Sequence, residues 1–390
     1  MENMVKQKNE LSQASRLVTV MFSGGGTGGS VSPLLAVAEE LIKEQIAEIN
    51  WQFLFVGTEN GLEQKIITSF SKRVYPITFL KIKSGKWRRY FSWKNIRDVF
   101  LIIFAYFQAL KILKRRRPEI VITAGGFVSV PLVWAAASLK IPIIVHQQDL
   151  RPGLANKLMA PWARAITVTF EKSLIDYGPR SILIGNPMST MWPTLTEQEK
   201  TLEKYQLNLD RPLVLVMGGG TGAVAINDLL IASASQLKIS CQLFHITGHG
   251  KLPPTVSETA DYRMVEFVDN NELIALIRQA TLVVSRAGIG ALTELAILKK
   301  PVIIIPIPAS HQEENTAVFA RAQAALVLKQ TDLTPAIFYQ EIKKLLEDEA
   351  RRKIMSINIA QLIKPGASAK LAAVICEIIG HSEKYVSQKE

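Results

Sequence analysis

Two runs of glycine stand out for what they could bind. Gly24-Gly25-Gly26-Thr27-Gly28-Gly29 and Gly218-Gly219-Gly220-Thr221-Gly222 each follow an apolar stretch and precede a helical pattern. Without Cβ atoms, backbone N–H groups can close on a phosphate, and the helix that follows adds the partial positive charge of its N-terminus. Neither run ends in Gly-Lys-Ser/Thr, so neither is a Walker A loop. Taken singly, each is also what a tight structural turn of an α/β sheet looks like. Two matched copies, half a chain apart, favour phosphate binding. A third glycine-bearing stretch, Ser285-Arg286-Ala287-Gly288-Ile289-Gly290-Ala291-Leu292-Thr293-Glu294, is expected to put Glu294 in the first turn of a helix. A carboxylate there can accept from vicinal ribose hydroxyls while the loop holds a diphosphate, or it can simply complement the helix dipole. His146-Gln147-Gln148-Asp149, closing a buried strand, offers two groups able to take a proton.

The elements that must position these residues repeat one grammar. Leu17–Phe22 and Leu213–Met217 read as buried strands running into the two glycine runs, with helices over Pro33–Lys43 and Ala223–Ala234. Strands over Trp51–Val56, Glu119–Thr123, Ile141–Val145, Thr281–Ser285 and Val302–Pro306 alternate with helical patterns, among them Val128–Leu139 and Ala291–Leu298. Such alternation predicts parallel sheets in an α/β chain of two doubly wound, Rossmann-like domains. In such sheets ligands bind outside the carboxyl ends of the strands, so the turns are expected to face a central cleft. The expected organisation is a disordered leader over 1–14, a first domain over 15–188, a linker over 189–211, a second domain over 212–365 and a C-terminal helix over 366–390 that could return to the first domain.

Composition narrows the class. At 390 residues the chain exceeds what one core usually serves, and 48% apolar with 21% charged residues is ordinary for a globular protein. Cys241 and Cys376 have no metal-ligand or redox spacing, which points to a reduced, cytoplasmic setting. The N-terminal residues contain no apolar signal core, and the longest apolar run, Val99–Phe107, is about half of the roughly 20 residues a spanning helix needs. No transmembrane helix is expected. The net charge of +12 is concentrated: Lys72–Arg117 holds fourteen Lys or Arg against one acid, Asp98. Within it Lys86, Trp87, Arg88, Arg89, Phe91 and Trp93 interleave aromatic with basic side chains, the pattern of a surface that meets an anionic membrane leaflet. A nucleic-acid partner is not expected, because the aromatics match no RNA-binding motif.

With these motifs in hand, the sequence resembles the MurG family of glycosyltransferases. The resemblance rests on Gly24–Gly29 with Pro33 and Ala36-Val37-Ala38, Ala124-Gly125-Gly126-Phe127-Val128-Ser129 with Pro131, His146–Asp149 followed by Gly153-Leu154-Ala155-Asn156-Lys157, and Gly185-Asn186-Pro187. In the second half it rests on Phe267-Val268-Asp269, Arg286 with Gly288 and Glu294, and His311-Gln312 with Asn315. It implies a GT-B fold and an inverting, metal-independent transfer without cofactor, from UDP-N-acetylglucosamine to a muramyl-pentapeptide carried on a polyprenyl diphosphate, in peptidoglycan synthesis. It further implies peripheral attachment to the cytoplasmic face of the cell membrane. Carried over residue by residue, the donor contacts are Gly219, Gly220, Thr221, Asn227, Val268, Arg286, Gly288, Ala291, Leu292, Glu294, Gln312 and Asn315, with Glu294 on the ribose. The acceptor contacts are Gly25, Thr27, Gly28, Gly29, Ser30, Gly125, Gly126 and Asn156.

Several polar positions depart from the family pattern. Ser30 stands where the family has histidine, Gln147 and Asp149 where it has Glu and Asn, Ser189 where it has arginine, and Gly220-Thr221 where it has Ser-Gln. Attack by a sugar hydroxyl needs a base. Serine cannot serve at neutral pH without an activator, which leaves Asp149 and His146. The departures keep two alternatives open: a related transferase with another sugar or lipid acceptor, and a catalytically weakened nucleotide-sugar-binding scaffold.

Overall fold

The computed structural model describes residues 16–25, 28–44, 49–59, 61–85, 93–219, 222–253 and 258–380. Two compact units account for them: residues up to Gln148 with Pro152–Ser189 and everything from Gly366, and a second unit of Thr190–Pro365 with Asp149–Arg151.

In the first unit the chain runs β1 (Arg16–Ser23), α1 (Ser32–Lys43), β2 (Ile49–Thr58), α2 (Leu62–Arg73), β3 (Ile77–Ile82), α3 (Trp93–Arg116), β4 (Ile120–Thr123), α4 (Ser129–Ser138), β5 (Ile143–Gln147), α5 (Leu154–Met159), β6 (Ala165–Val168), α6 (Lys172–Tyr177) and β7 (Ser181–Leu183). All strand pairs are parallel and the order is β3-β2-β1-β4-β5-β6-β7. Alternate residues of β1 feed cores on opposite faces: Val18, Val20 and Phe22 meet Leu34, Val37 and Leu41 of α1, while Met21 joins Val128, Leu132 and Ala136 around α4. Burial on both faces is why these strands read as unbroken apolar runs rather than alternating ones.

The second unit continues with α7 (Leu195–Lys204), β8 (Leu213–Met217), α8 (Val224–Leu237), β9 (Gln242–Ile246), β10 (Tyr262–Val265), α9 (Asn270–Gln279), β11 (Leu282–Ser285), α10 (Ile289–Ile297), β12 (Val302–Ile304), α11 (His311–Arg321), β13 (Leu326–Val327), α12 (Pro335–Glu347) and α13 (Glu349–Leu362). Its sheet, again parallel, is ordered β10-β9-β8-β11-β12-β13. The stretch expected as a linker is mostly built into this unit. A capping box between Thr194 and Glu197 starts α7, whose Lys204 pairs with Glu272 on α9, and Arg278 of α9 stacks over Trp192.

α14 (Ala367–Ile378) belongs to the first unit, where Leu371, Val374 and Ile375 pack in the same core as Leu34 and Leu41. Glu349–Ile378 is long and apolar enough on average to cross a membrane, but half of its most apolar window is buried in the protein. It is also split into two helices at Gly366, whose φ of +74° is a left-handed turn.

Candidate active site

In each sheet the strand order reverses beside the first strand, between β1 and β4 and between β8 and β11. That switch point is where connections leave in opposite directions and open a crevice at the carboxyl ends of the strands. The glycine turns stand at these two points. In the first unit, a Cβ on Gly126 would lie 2.6 Å from the carbonyl oxygen and 2.8 Å from the nitrogen of Gly25, so the turns after β1 and β4 touch through bare backbone. Gly125 and Gly126 have φ of +98° and +95°, a region open to glycine. Ser129 ties the turns down, its hydroxyl bonding Gly125 O and Ser23 Oγ, and Ser23 in turn donates to Val56 O on β2. Gly28, Gly29 and Ser30 form one turn of 3-10 helix leading into α1, with the buried Ser30 hydroxyl donating to Gly25 O.

His146 lies at the end of β5, fully enclosed. Its Nε2 meets Asn186 Oδ1 at 3.3 Å and its Nδ1 meets Thr167 Oγ1 at 3.0 Å, so both ring nitrogens are engaged by the protein. Burial pushes its pKa down to about 4. A proton acceptor so placed is neutral, weak and sealed, and the geometry argues against His146 as the base. Its neighbour Gln147 accepts from Asn156 Nδ2 at 2.6 Å and from the Tyr177 hydroxyl at 2.9 Å. Asp149 is placed differently: Asn315 Nδ2 donates to its Oδ1 at 2.9 Å, and His311 Nε2 lies 3.9 Å from its Oδ2. Its side chain stays more than a third exposed.

In the second unit a Cβ on Gly222 would lie 2.2 Å from Thr247 O, so the turn after β8 presses against the end of β9 and requires glycine. Gly219 (φ +82°) is exposed, and a Cβ there would meet nothing within 4 Å among the described residues. Glu294 is the sixth residue of α10, not in its first turn, because Gly288 caps a helix that starts at Ile289. A carboxylate one and a half turns in gains little from the dipole, which acts within the first turn. Among the described residues Glu294 has no hydrogen-bond or ion-pair partner, and burial pushes its pKa up to about 7. Gln312, near the start of α11, accepts through Oε1 from the N–H groups of Ala287 and Ile307, both at 3.2 Å, which pins the loops after β11 and β12 together.

Other expected donor contacts turn out to hold the protein together. Asn227 spends its amide on Thr247 O and on His245 Nε2, and Arg286 donates to Ile305 O, Pro306 O and Gln330 Oε1. Asn315, fully buried, grips Leu150 N–H and Asp149, while the Leu292 side chain is in the core. Val268 is buried, and Ala291 lies on the partly open first turn of α10 beside Gly288. Thr27, Gly220, Thr221, Lys86, Trp87, Arg88, Arg89 and Phe91 lie outside the described residues, and Trp93 opens α3.

Two features escaped the sequence reading. Glu63, second in α2, is buried beside Gly25, where its Oε1 accepts from the N–H and hydroxyl of Thr58 at 2.8 and 2.6 Å. Its signal was the pair of glycines, Gly57 and Gly61, bracketing the passage from β2 to α2, a third strand-to-helix corner at the same sheet end. The other is a stripe on α3: Phe100, Ile103, Phe104 and Phe107, at helical spacing, are 51 to 68% exposed. Beyond α4, which packs on both α3 and α5, lie the exposed Leu154, Leu158 and Trp162.

Comparison with known proteins agrees with this architecture. Residues 20–168 match the glycosyltransferase family 28 N-terminal domain and residues 213–371 the glycosyltransferase family 28 C-terminal domain. A Clostridium botulinum protein named UDP-N-acetylglucosamine--N-acetylmuramyl-(pentapeptide) pyrophosphoryl-undecaprenol N-acetylglucosamine transferase is 36% identical over 337 residues, 84% of this chain and 91% of the relative. A Geobacillus kaustophilus protein of the same name is 32% identical over 92% of this chain and 97% of the relative. Among solved structures, MurG of Acinetobacter baumannii superposes with a TM-score of 0.67 at 23% identity, over 92% of this chain and 99% of that one. The Neisseria meningitidis UDP-GlcNAc 2-epimerase bound to UDP-GlcNAc gives 0.66 at 14% identity, over 93% of this chain and 100% of that one. At such identities these two structures speak to the fold alone.

Proposed function

The chain belongs to the MurG family within glycosyltransferase family 28, and from that premise we propose that it moves N-acetylglucosamine from UDP-N-acetylglucosamine to a muramyl-pentapeptide on a polyprenyl diphosphate. It is a hexosyltransferase of peptidoglycan synthesis that makes lipid II from lipid I. The observation that carries the donor assignment is Glu294, a carboxylate without a partner among the described residues, held at the switch point of the second sheet. Vicinal ribose hydroxyls supply the donors it lacks, and the N-terminus of α10 beside Gly288 faces the diphosphate.

In the transfer a hydroxyl of the muramyl sugar attacks the anomeric carbon, the new C–O bond forms on the opposite face, and the bond to UDP breaks with its electron pair leaving on the phosphate. Backbone N–H groups of the glycine turns and the α10 N-terminus offset that charge. The hydroxyl proton goes to a base, for which Asp149 is the better candidate. Its carboxylate is solvent-reached and oriented by Asn315, whereas His146 is sealed and neutral.

Attachment to the membrane runs through α3. Burying an exposed Phe in an apolar phase contributes about 1.5–3 kcal/mol, and the basic end of the helix, Lys111, Lys114, Arg115 and Arg116, adds attraction to anionic lipid. Replacing Phe104 and Phe107 together by Ser is expected to weaken binding to phosphatidylglycerol vesicles at least tenfold, measured by co-sedimentation. Unchanged binding would remove α3 from the contact.

Calorimetric titration with UDP-N-acetylglucosamine, other UDP-sugars and TDP-sugars tests the donor. Tightest binding of UDP-N-acetylglucosamine is expected, and absence of uridine nucleotide binding would overturn the reading.

A further inference from the structure

One buried polar atom of the first unit has no hydrogen-bond partner among the described residues. Asn156, 7% exposed, sits on α5 with its Oδ1 wholly buried and met by no donor among the described residues. Which end of the amide is which follows from its neighbours. The other end lies 3.4 Å from the backbone carbonyl of His146, which can only accept, so that end is Nδ2, and it lies 2.6 Å from Gln147 Oε1. Tyr177 completes the arrangement. Its single hydroxyl proton goes to Gln147 Oε1, so it has none to offer Asn156. Oδ1 is thereby turned to the Gly125 turn, close enough that a Cβ there would come within 3.2 Å of it.

An amide oxygen so placed selects its ligand by chemistry. It accepts hydrogen bonds and cannot donate one, so it repels the oxygens of a diphosphate and welcomes an O–H. It is also far too weak a base to keep the proton. The expectation that Asn156 meets the acceptor therefore acquires a specific atom and a specific group.

We infer that in the donor-free complex Asn156 Oδ1 receives the hydrogen bond of the attacking hydroxyl of the acceptor sugar, a bond given up when that proton passes to the base during transfer, and that Gln147 and Tyr177 are positioning residues that hold the amide in that orientation. This rests on the acceptor reading above. The Gln147 departure then has a role: an amide here accepts from both Asn156 and Tyr177 without placing a negative charge beside the incoming hydroxyl and the acceptor's diphosphate.

The test compares two soluble, short-chain muramyl diphosphate acceptors, one natural and one with the attacking hydroxyl replaced by hydrogen. Their dissociation constants are measured without donor, so that no turnover intervenes. Leaving a buried acceptor unpaired costs enough that the wild type should prefer the hydroxyl compound by about tenfold. Asn156→Ala should bind both equally, Asn156→Asp should keep a preference because an acceptor oxygen remains, and Tyr177→Phe should fall between, with circular dichroism verifying that each variant is folded. A merely structural role would weaken both compounds alike and leave the ratio intact, so a preserved preference in Asn156→Ala overturns the inference. If Asn156→Ala does not fold, an unchanged ratio in Tyr177→Phe together with loss of the preference in Asn156→Asp overturns it. Equal binding of both compounds by the wild type also overturns it while leaving the acceptor class intact. Binding of neither removes the acceptor reading, and this inference with it.

Discussion

The two switch points are built to one plan and carry opposite chemistry. Beside β1 and β4, the groups at the turns are neutral: a sealed imidazole, a serine hydroxyl, and the Asn156 amide, while the Glu63 carboxylate beside Gly25 is turned into the protein and occupied by Thr58. Beside β8 and β11, Glu294 has no partner among the described residues and is close to its titration point at neutral pH. Repeating a strand, a glycine turn and a helix thus repeats the backbone cradle, while the side chain one or two turns further on decides what the cradle is for. A diphosphate and a neutral hydroxyl suit the first turn; a pair of ribose hydroxyls suits the second.

The largest expected effect breaks the second side alone. Glu294→Ala should weaken UDP-N-acetylglucosamine binding about 100-fold, since hydrogen bonds to a charged group contribute roughly 1.5–3 kcal/mol and two hydroxyls share it. Calorimetry on donor and acceptor separately checks this; an equal loss for the acceptor would mean that the two sides are not chemically distinct. On the first side the matching change is one of stability. Glu63→Ala removes the acceptor of two Thr58 donors and should cost about 2 kcal/mol in urea unfolding, with donor affinity unaltered. A change below about 0.5 kcal/mol would show that Thr58 finds other partners.

Titration sharpens the contrast further. The free carboxyl of Glu294 has its pKa raised to about 7, and ribose hydroxyls favour the charged form, so donor binding pulls it down. Donor affinity should therefore fall as pH drops through 7, about tenfold between pH 8 and pH 6, and the slope should vanish in Glu294→Gln. Acceptor affinity should change less than twofold over that window through this group. The stability sign is opposite to that of a salt-bridged acid. Because the folded pKa lies above the unfolded one, the native state holds its proton longer, and this group lowers stability as pH rises from about 4.5 to 7. Glu294→Gln should accordingly raise Tm more at pH 8 than at pH 5, and an equal shift at both would contradict the assigned cause.

The smallest effect is expected at Ser189. Although it replaces a family arginine, its hydroxyl donates to the buried Glu39 on α1 at 2.5 Å. Ser189→Ala should change donor and acceptor affinities by less than twofold, and a larger loss would bring that segment into the site.

Most of the fold was legible because its signals are local. The glycine turns need bare Cα atoms, the strands are buried on both faces, and each reads directly as sequence. Glu294 was found by its place after such a turn, yet its helical position was misjudged, since Gly288 and Gly290 hid where α10 begins. What could not be read was how side chains share partners. Asn227, Arg286 and Asn315 carry motif identities that look like ligand contacts, but their hydrogen bonds close on Thr247, on the loop after β12, and on Asp149 with Leu150. The apolar stripe of α3 was hidden for a related reason: Val99–Phe107 reads as one greasy run, and only packing shows which of its residues the core leaves out.

The most direct test of the function is a transfer assay with the unmodified protein, UDP-N-acetylglucosamine labelled in the sugar, and vesicles carrying the muramyl-pentapeptide diphospholipid. Label should move into the lipid fraction only when the acceptor is present, and Asp149→Asn should slow it strongly with donor affinity retained. Donor binding without any transfer to that lipid would contradict the account.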